Sequence, residues 1–453
     1  MWVSRIAFTY YLKKFRVLLL QDNKLYFYYC RFKHNKYLTM EKYSTKETSD
    51  LIKLIIALIN NTGLLSYTTA HKVHWATNIA TFCFILTCVL QVIALLIAKD
   101  DPDRLFECFS VLAFCSMGIY KLNSLRNHHN SWRFLLKQIS ILEYEELNNV
   151  FSSETEYQSE DEDSNNFSNY VQNYTDKFKT TSTILSKIYS FTAVIFILSP
   201  FLEYLLRKVR GFKGLEYPHI LPVWAPLDGL STIGYLITLS CEFLAAVYCV
   251  CVHIAFDLTA VGVMIFVCGQ FSLLRDYSER IGGNGKLCNV SKRRDDRASF
   301  RIRHCHRINL ILINSIIELD KLLKNIIGVY FFLATLTLCT VAVRLKSSVN
   351  MTVMQLVSLL QYMGATLTQL YLFCRYGDAV LNESSVSMGE GPFGAAYWCL
   401  SPRIRRDLLL LGIGMMSPRH LRAGPFNYLD LPSFIQPIVI NREHLFYQTP
   451  GKS

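Results

Sequence analysis

The sequence predicts an all-α membrane protein. Three observations carry that prediction. Long stretches contain no charge. Charged residues make up only 18% of the 453-residue chain, against roughly 25% in average soluble chains. The Lys and Arg surplus lies between the apolar stretches, and not on one compact domain.

A helix needs about 20 apolar residues to cross a hydrocarbon core. Six stretches qualify: residues 73–98, 105–120 with Glu107, 188–206 with Pro200 and Glu203, 229–274 with Glu242 and Asp257, 325–343, and 347–374. The fourth is long enough for two spans, but no Pro, Gly pair or polar cluster marks a turn, and a turn in lipid leaves backbone groups unpaired. It reads as one helix whose last turns leave the membrane. Residues 308–323 repeat apolar positions at helical spacing (Ile308, Leu312, Ile316, Leu319, Leu323) and read as a cytoplasmic extension of the fifth helix.

Placing the N-terminus inside leaves eight basic residues outside: Lys99, Arg104, Arg207, Lys208, Arg210, Lys213, Arg344 and Lys346. The connector 275–307 alone holds ten, so the N-terminus is expected in the cytoplasm. The net charge of +12 is then cytoplasmic loop charge and implies no nucleic-acid partner. The expected organisation is a cytoplasmic region 1–72 whose first 39 residues read as an extension, four spans within 73–274 with an acidic cytoplasmic loop 121–187, a cytoplasmic loop and anchor helix 275–324, two spans within 325–376, a cytoplasmic segment 377–436 and an atypical tail 437–453. The acidic run 154–163 reads as a solvated loop.

No catalytic constellation emerges, and the chain is not expected to be an enzyme. Gly282-Gly283-Asn284-Gly285-Lys286 lacks phosphate-loop spacing, and His304-Cys305-His306 and His128-His129 are adjacent pairs without ligand spacing. No cofactor or metal is expected. The fourteen cysteines lack zinc-like pairs, and many sit in apolar runs as small core residues.

Charges within spans mark protein-facing or water-facing positions. Glu107 and Glu203 lie near helix ends, at headgroup depth. Glu242 and Asp257 lie deeper, and are expected either to line a cavity or to meet a polar partner between helices. Aromatic and small polar residues gather toward the outer half: Phe106, Phe109, Phe196, Phe201, Tyr204, Tyr235, Thr238, Met354 and Tyr362. They suit a mostly apolar pocket for a small volatile ligand. An interfacial aromatic belt explains many of the same positions.

The C-terminal third carries a more specific pattern. Gly377-Asp378 follows the sixth span, then Glu383-Ser384, Ala396-Tyr397-Trp398, the basic stretch Arg403-Ile404-Arg405-Arg406-Asp407-Leu408-Leu409-Leu410, and Ala423-Gly424-Pro425-Phe426 with Leu429, Leu431 and Phe434. Upstream, Leu221-Pro222-Val223-Trp224 precedes the fourth span. This order resembles the insect odorant receptor family over residues 40–436, with Tyr397 and Trp398 closer together than the family pattern has them. The resemblance implies an inverted seven-helix subunit of a tetrameric cation channel in the plasma membrane, assembled with an obligate co-receptor. It implies that helices two, three, four and six hold the odorant. It also implies that Tyr397, Trp398, Arg403, Arg405, Arg406 and Leu409 belong to a cytoplasmic anchor between subunits.

The family ends in a pore-lining helix. Here residues 431–440 offer at most ten mainly apolar positions, broken by Pro432 and Pro437, too few to span. The cytoplasmic part of helix seven is therefore expected without its terminal pore helix, and such a subunit would be non-conducting. A gustatory-type receptor is the nearest alternative. A G-protein-coupled receptor requires the opposite orientation and a D/E-R-Y motif, and a transporter requires paired repeats with broken helices. Neither pattern is found.

Overall fold

The computed structural model describes residues 50–61, 75–157, 164–211, 217–226, 228, 231–283, 290–347, 353–385, 387–425 and 427–435. All belong to one compact unit, Thr48–Ser453. The expectations for 1–39 and for the tail 437–453 lie outside the described residues.

The elements in order are α1 (Asp50–Asn61), α2 (Trp75–Ile97), α3 (Pro102–Asn127), α4 (His129–Tyr157), α5 (Ser164–Val209), α6 (Thr232–Glu279), α7 (Lys292–Ser347), α8 (Val353–Glu383), α9 (Ser387–Gly394) and α10 (Pro402–Met415). A two-stranded antiparallel ribbon follows, β1 (Arg422–Ala423) with β2 (Asn427–Tyr428). The protein is all-α apart from this ribbon. Among the described residues five helices are long and apolar enough to cross a membrane: α2, α3, α5, α6 and α7. The sixth expected tract falls on α8, where Gln361, Thr366, Thr368 and Gln369 make it more polar, and residues 348–352 lie outside the described residues.

Exposed apolar side chains identify the lipid-facing surfaces. On α2, Phe82, Ile85, Leu86, Val89, Val92 and Leu96 recur every three or four residues and are all exposed. On α5, Phe191, Val194, Leu198, Leu202 and Leu205 do the same. In water such bands would drive aggregation; in a bilayer they face acyl chains.

α6 is a single unbroken helix from Thr232 past residue 274, with no turn inside the stretch read as one span; it is capped by Ser231, whose side chain accepts a hydrogen bond from Gly234 N at 3.1 Å. It is the central element. Its first half packs with α2, α3 and the loop residues Ile220, Leu221 and Val223 in one apolar cluster. Its second half joins α1, α4, α7, α8 and α10 in the larger core. α7 is likewise continuous, so residues 308–323 do extend the fifth span as one helix.

Two boundaries differ from expectation. The acidic run is partly helical: α4 reaches Tyr157, and only residues 158–163 lie outside the described residues. The helix that holds the second span runs on past Tyr120. α3 continues to Asn127 and carries Lys121 into the bundle, fully buried. A lysine can stay buried in an apolar bundle where an opposite charge meets it, and Asp257 does so here.

The C-terminal segment is clasped onto α7. Asp320 accepts from Arg422 N (2.8 Å), Nε (3.0 Å) and Nη2 (2.5 Å). Gly424, at φ +75°, makes the tight turn of the ribbon and donates its N–H to Lys324 O at 2.8 Å. Gly377 lies so close to Leu429, just past the ribbon, that a Cβ there would collide with the Leu429 carbonyl oxygen. α9 packs on α6. α10 starts with Pro402 after Ser401 and buries Ile404, Leu408, Leu411 and Met415.

Candidate ligand cavity

Five helices and one loop surround an apolar cavity near the middle of the bundle. α3 supplies Val111, Phe114, Cys115 and Met117; α5 supplies Tyr189, Thr192, Ala193, Phe196 and Ile197. α6 contributes Cys249, Val250 and His253, α7 Tyr330, Leu333 and Thr337, and α8 Tyr362, Ala365, Thr366 and Gln369. Ile220 and Leu221 form part of the wall.

That loop is held down by Glu242, which is 1% exposed. Its Oε2 accepts from Ile220 N at 2.9 Å and Leu221 N at 3.3 Å, and its Oε1 lies 2.8 Å from His219 Nδ1. His219 Nε2 reaches Asp228 Oδ2 at 2.6 Å. Tyr235 on α6 donates to Pro218 O at 2.9 Å and sets its ring edge-on to His219. Trp224 N–H donates to Leu90 O on α2 at 3.3 Å. The hydrogen bond that His219 Nδ1 donates to Glu242, with the charges of Glu242 and Asp228, raises the His219 pKa above its usual value, against the opposing effect of burial.

A polar network reaches the cavity through three lining residues, Tyr189, His253 and Gln369. Lys121 Nζ lies 2.6 Å from Asp257 Oδ1 and 3.0 Å from His253 Nδ1. Tyr189 Oη and Gln369 Nε2 donate to Asp257 Oδ2 at 2.6 and 2.7 Å. An ammonium has no lone pair, so His253 Nδ1 accepts; its Nε2 then carries the proton and donates to Phe114 O at 3.3 Å. The Phe114 and His253 rings stack with centroids 4.2 Å apart.

The remaining lining hydroxyls are internally satisfied. Tyr330 donates to Thr366 O at 3.1 Å and Tyr362 to Ser110 O at 3.3 Å. Thr192, Thr337 and Thr366 each donate to the carbonyl four residues back in their own helix.

Of the residues expected to form a pocket, Phe196 and Tyr362 line this cavity. Phe106, Phe109, Phe201, Tyr204, Tyr235 and Thr238 do not. Tyr235 instead secures the loop, and Thr238 donates to Gly234 O at 3.1 Å. The Met354 side chain lies outside the described residues. Glu203 pairs with Arg207 one turn on, at 2.6 Å. Lys121, His253 and Gln369 were not singled out from sequence. The available signal was Asp257 itself: a carboxylate deep in a span demands a cation, and Lys121 ends the nearest apolar run.

The residues expected in the anchor sit together after α9. Tyr397 and Trp398 are about half exposed, with ring centroids 5.4 Å apart. Arg405 Nε donates to Leu400 O at 2.8 Å and Nη2 to Trp398 O at 3.1 Å, while Arg403, Arg406 and Leu409 face outward.

Several helices long and apolar enough to cross a membrane, packed around a mainly apolar cavity, make this a multi-pass membrane protein of the receptor-like helical class. The chain belongs to the 7tm odorant receptor family, whose model matches residues 125–438. It is 23% identical over 272 residues to odorant receptor 13a of Drosophila melanogaster, covering 56% of this chain and 62% of that protein. It is 28% identical over 127 residues to putative odorant receptor 85e of the same fly, covering 28% of this chain and 27% of that protein. The chain thus spans less than two thirds of these curated relatives. Its fold is similar to that of the olfactory receptor OR5 from Machilis hrabei, with a TM-score of 0.69 at 12% identity, covering 88% of this chain and 97% of that one. The same receptor in complex with eugenol gives a TM-score of 0.66 at 11% identity, covering 87% and 96%.

Proposed function

We propose that this chain is an odorant-tuning subunit that binds a small volatile molecule in the cavity between α3, α5, α6, α7 and α8. It would gate a cation channel in the plasma membrane together with the odorant-receptor co-receptor. The observation that carries this is the cavity itself, walled mainly by aromatic and aliphatic groups with a few polar side chains among them. A bilayer-embedded apolar site suits a volatile, sparingly soluble ligand. The eugenol complex of the similar Machilis receptor supports a small aromatic odorant.

The charge distribution supports a cytoplasmic N-terminus, which sets the loop 217–228 on the outer side. The anchor would be the outward face of Tyr397, Trp398, Arg403, Arg406 and Leu409, where exposed apolar and cationic groups lie together. Arg405 would brace the backbone beneath it.

The test applies an odorant panel to the full chain, read as ligand binding in lipid nanodiscs and, with the co-receptor supplying the conducting pore, as ligand-evoked current. Ala365→Leu, which fills the cavity from α8, is expected to abolish responses without loss of surface protein. Unchanged responses in that variant would remove the cavity from consideration.

A further inference from the structure

We propose that the cavity selects ligands that donate a hydrogen bond, favouring alcohols and phenols over ethers of the same size, with Gln369 Oε1 as the acceptor. This takes the cavity to be the ligand site, as proposed above.

Each lining hydroxyl gives its proton to a protein acceptor, and the His253 Nε2 proton goes to Phe114 O. Apart from the weak thiols, at most the second N–H of the Gln369 amide remains to donate. Acceptors are in surplus. Gln369 Nε2 is engaged by Asp257 Oδ2, so the amide oxygen of the same planar group points elsewhere, and among the described residues it has no partner.

The orientation of that amide is set by charge. Turning it over would place two acceptors, Oε1 and the Asp257 carboxylate, against each other. Asp257 is held in turn by Lys121 and Tyr189, so the donor side of the amide stays toward the carboxylate. A hydroxyl ligand supplies the proton that Oε1 lacks. An ether of equal size supplies none and leaves the oxygen unpaired in an apolar cavity.

The test uses the purified full chain in lipid nanodiscs, with equilibrium binding of octan-1-ol and heptyl methyl ether, which have the same number of heavy atoms. The alcohol is expected to bind on the order of ten-fold more tightly. Gln369→Met should weaken the alcohol to the level of the ether and leave the ether unchanged. The wild-type ratio tests the proposal even where that variant folds poorly, since Asp257 loses a donor in it. Equal wild-type affinities, with Ala365→Leu abolishing both, would overturn the acceptor role and leave the cavity as the ligand site. If Ala365→Leu alters neither probe, the cavity is not the site and the proposal falls with it.

Discussion

Lys121 Nζ lies 2.6 Å from Asp257 Oδ1, with the two side chains 0% and 1% exposed. The pair joins α3 to α6 inside the bundle, and Tyr189 and Gln369 bring in α5 and α8. Removing one partner leaves a charge buried and uncompensated. Lys121→Met is expected to destabilise the fold by about 3–5 kcal/mol. The double substitution Lys121→Met with Asp257→Asn should recover much of that loss, because no net charge is stranded. Thermal unfolding of the detergent-solubilised protein measures both.

Phe196 lines the cavity and Phe106 does not, although both are aromatic residues on spanning helices. Phe196→Ala is expected to weaken ligand affinity on the order of ten-fold, by removing a large apolar contact. Phe106→Ala should leave affinity within about two-fold, since a residue outside the site offers no contact to lose. Equal losses in the two variants would place the ligand elsewhere.

The loop 217–228 should respond to pH through His219. Its raised pKa comes from Glu242 on α6 and Asp228 in the loop, with Tyr235 beside the ring. A folded pKa above the unfolded value of about 6.5 means the contribution is complete below that value. It is lost as pH rises through the higher folded one. Protection of the Ile220 and Leu221 amides, taken relative to their intrinsic exchange rate at each pH, is expected to fall across that rise. His219→Gln should remove the step, because glutamine does not titrate there. A step that persists in the variant would assign the effect to another group.

Asp320 anchors the ribbon to α7 with three hydrogen bonds from Arg422. Asp320→Ala leaves the Arg422 N–H without its acceptor and should cost about 1–3 kcal/mol. The loss is expected locally, as faster proteolysis after residue 415, before any change in the spanning helices. Gly377→Ala should act in the same direction, since its Cβ would collide with the Leu429 carbonyl.

Much of this architecture is legible in one dimension, because hydrocarbon imposes a local rule: a spanning helix must be apolar along its own length. The continuity of α6 and α7 and the all-α class follow from that rule and from the absence of turn residues between 231 and 274. The C-terminal order from Gly377 to Phe434 was sufficient to point to the family that matches residues 125–438. Which residues share the cavity is a different kind of fact. It depends on how five helices rotate about their axes, and a helix places any residue on one face or another with little local cost. Phe196 faces the cavity, while Phe201, five positions on, does not. Lys121 reads as the end of a span until α6 brings Asp257 to meet it, and only that meeting lets a cation remain buried. Composition and spacing determined the class of molecule; helix packing decided where its polar groups stand and what they can bind.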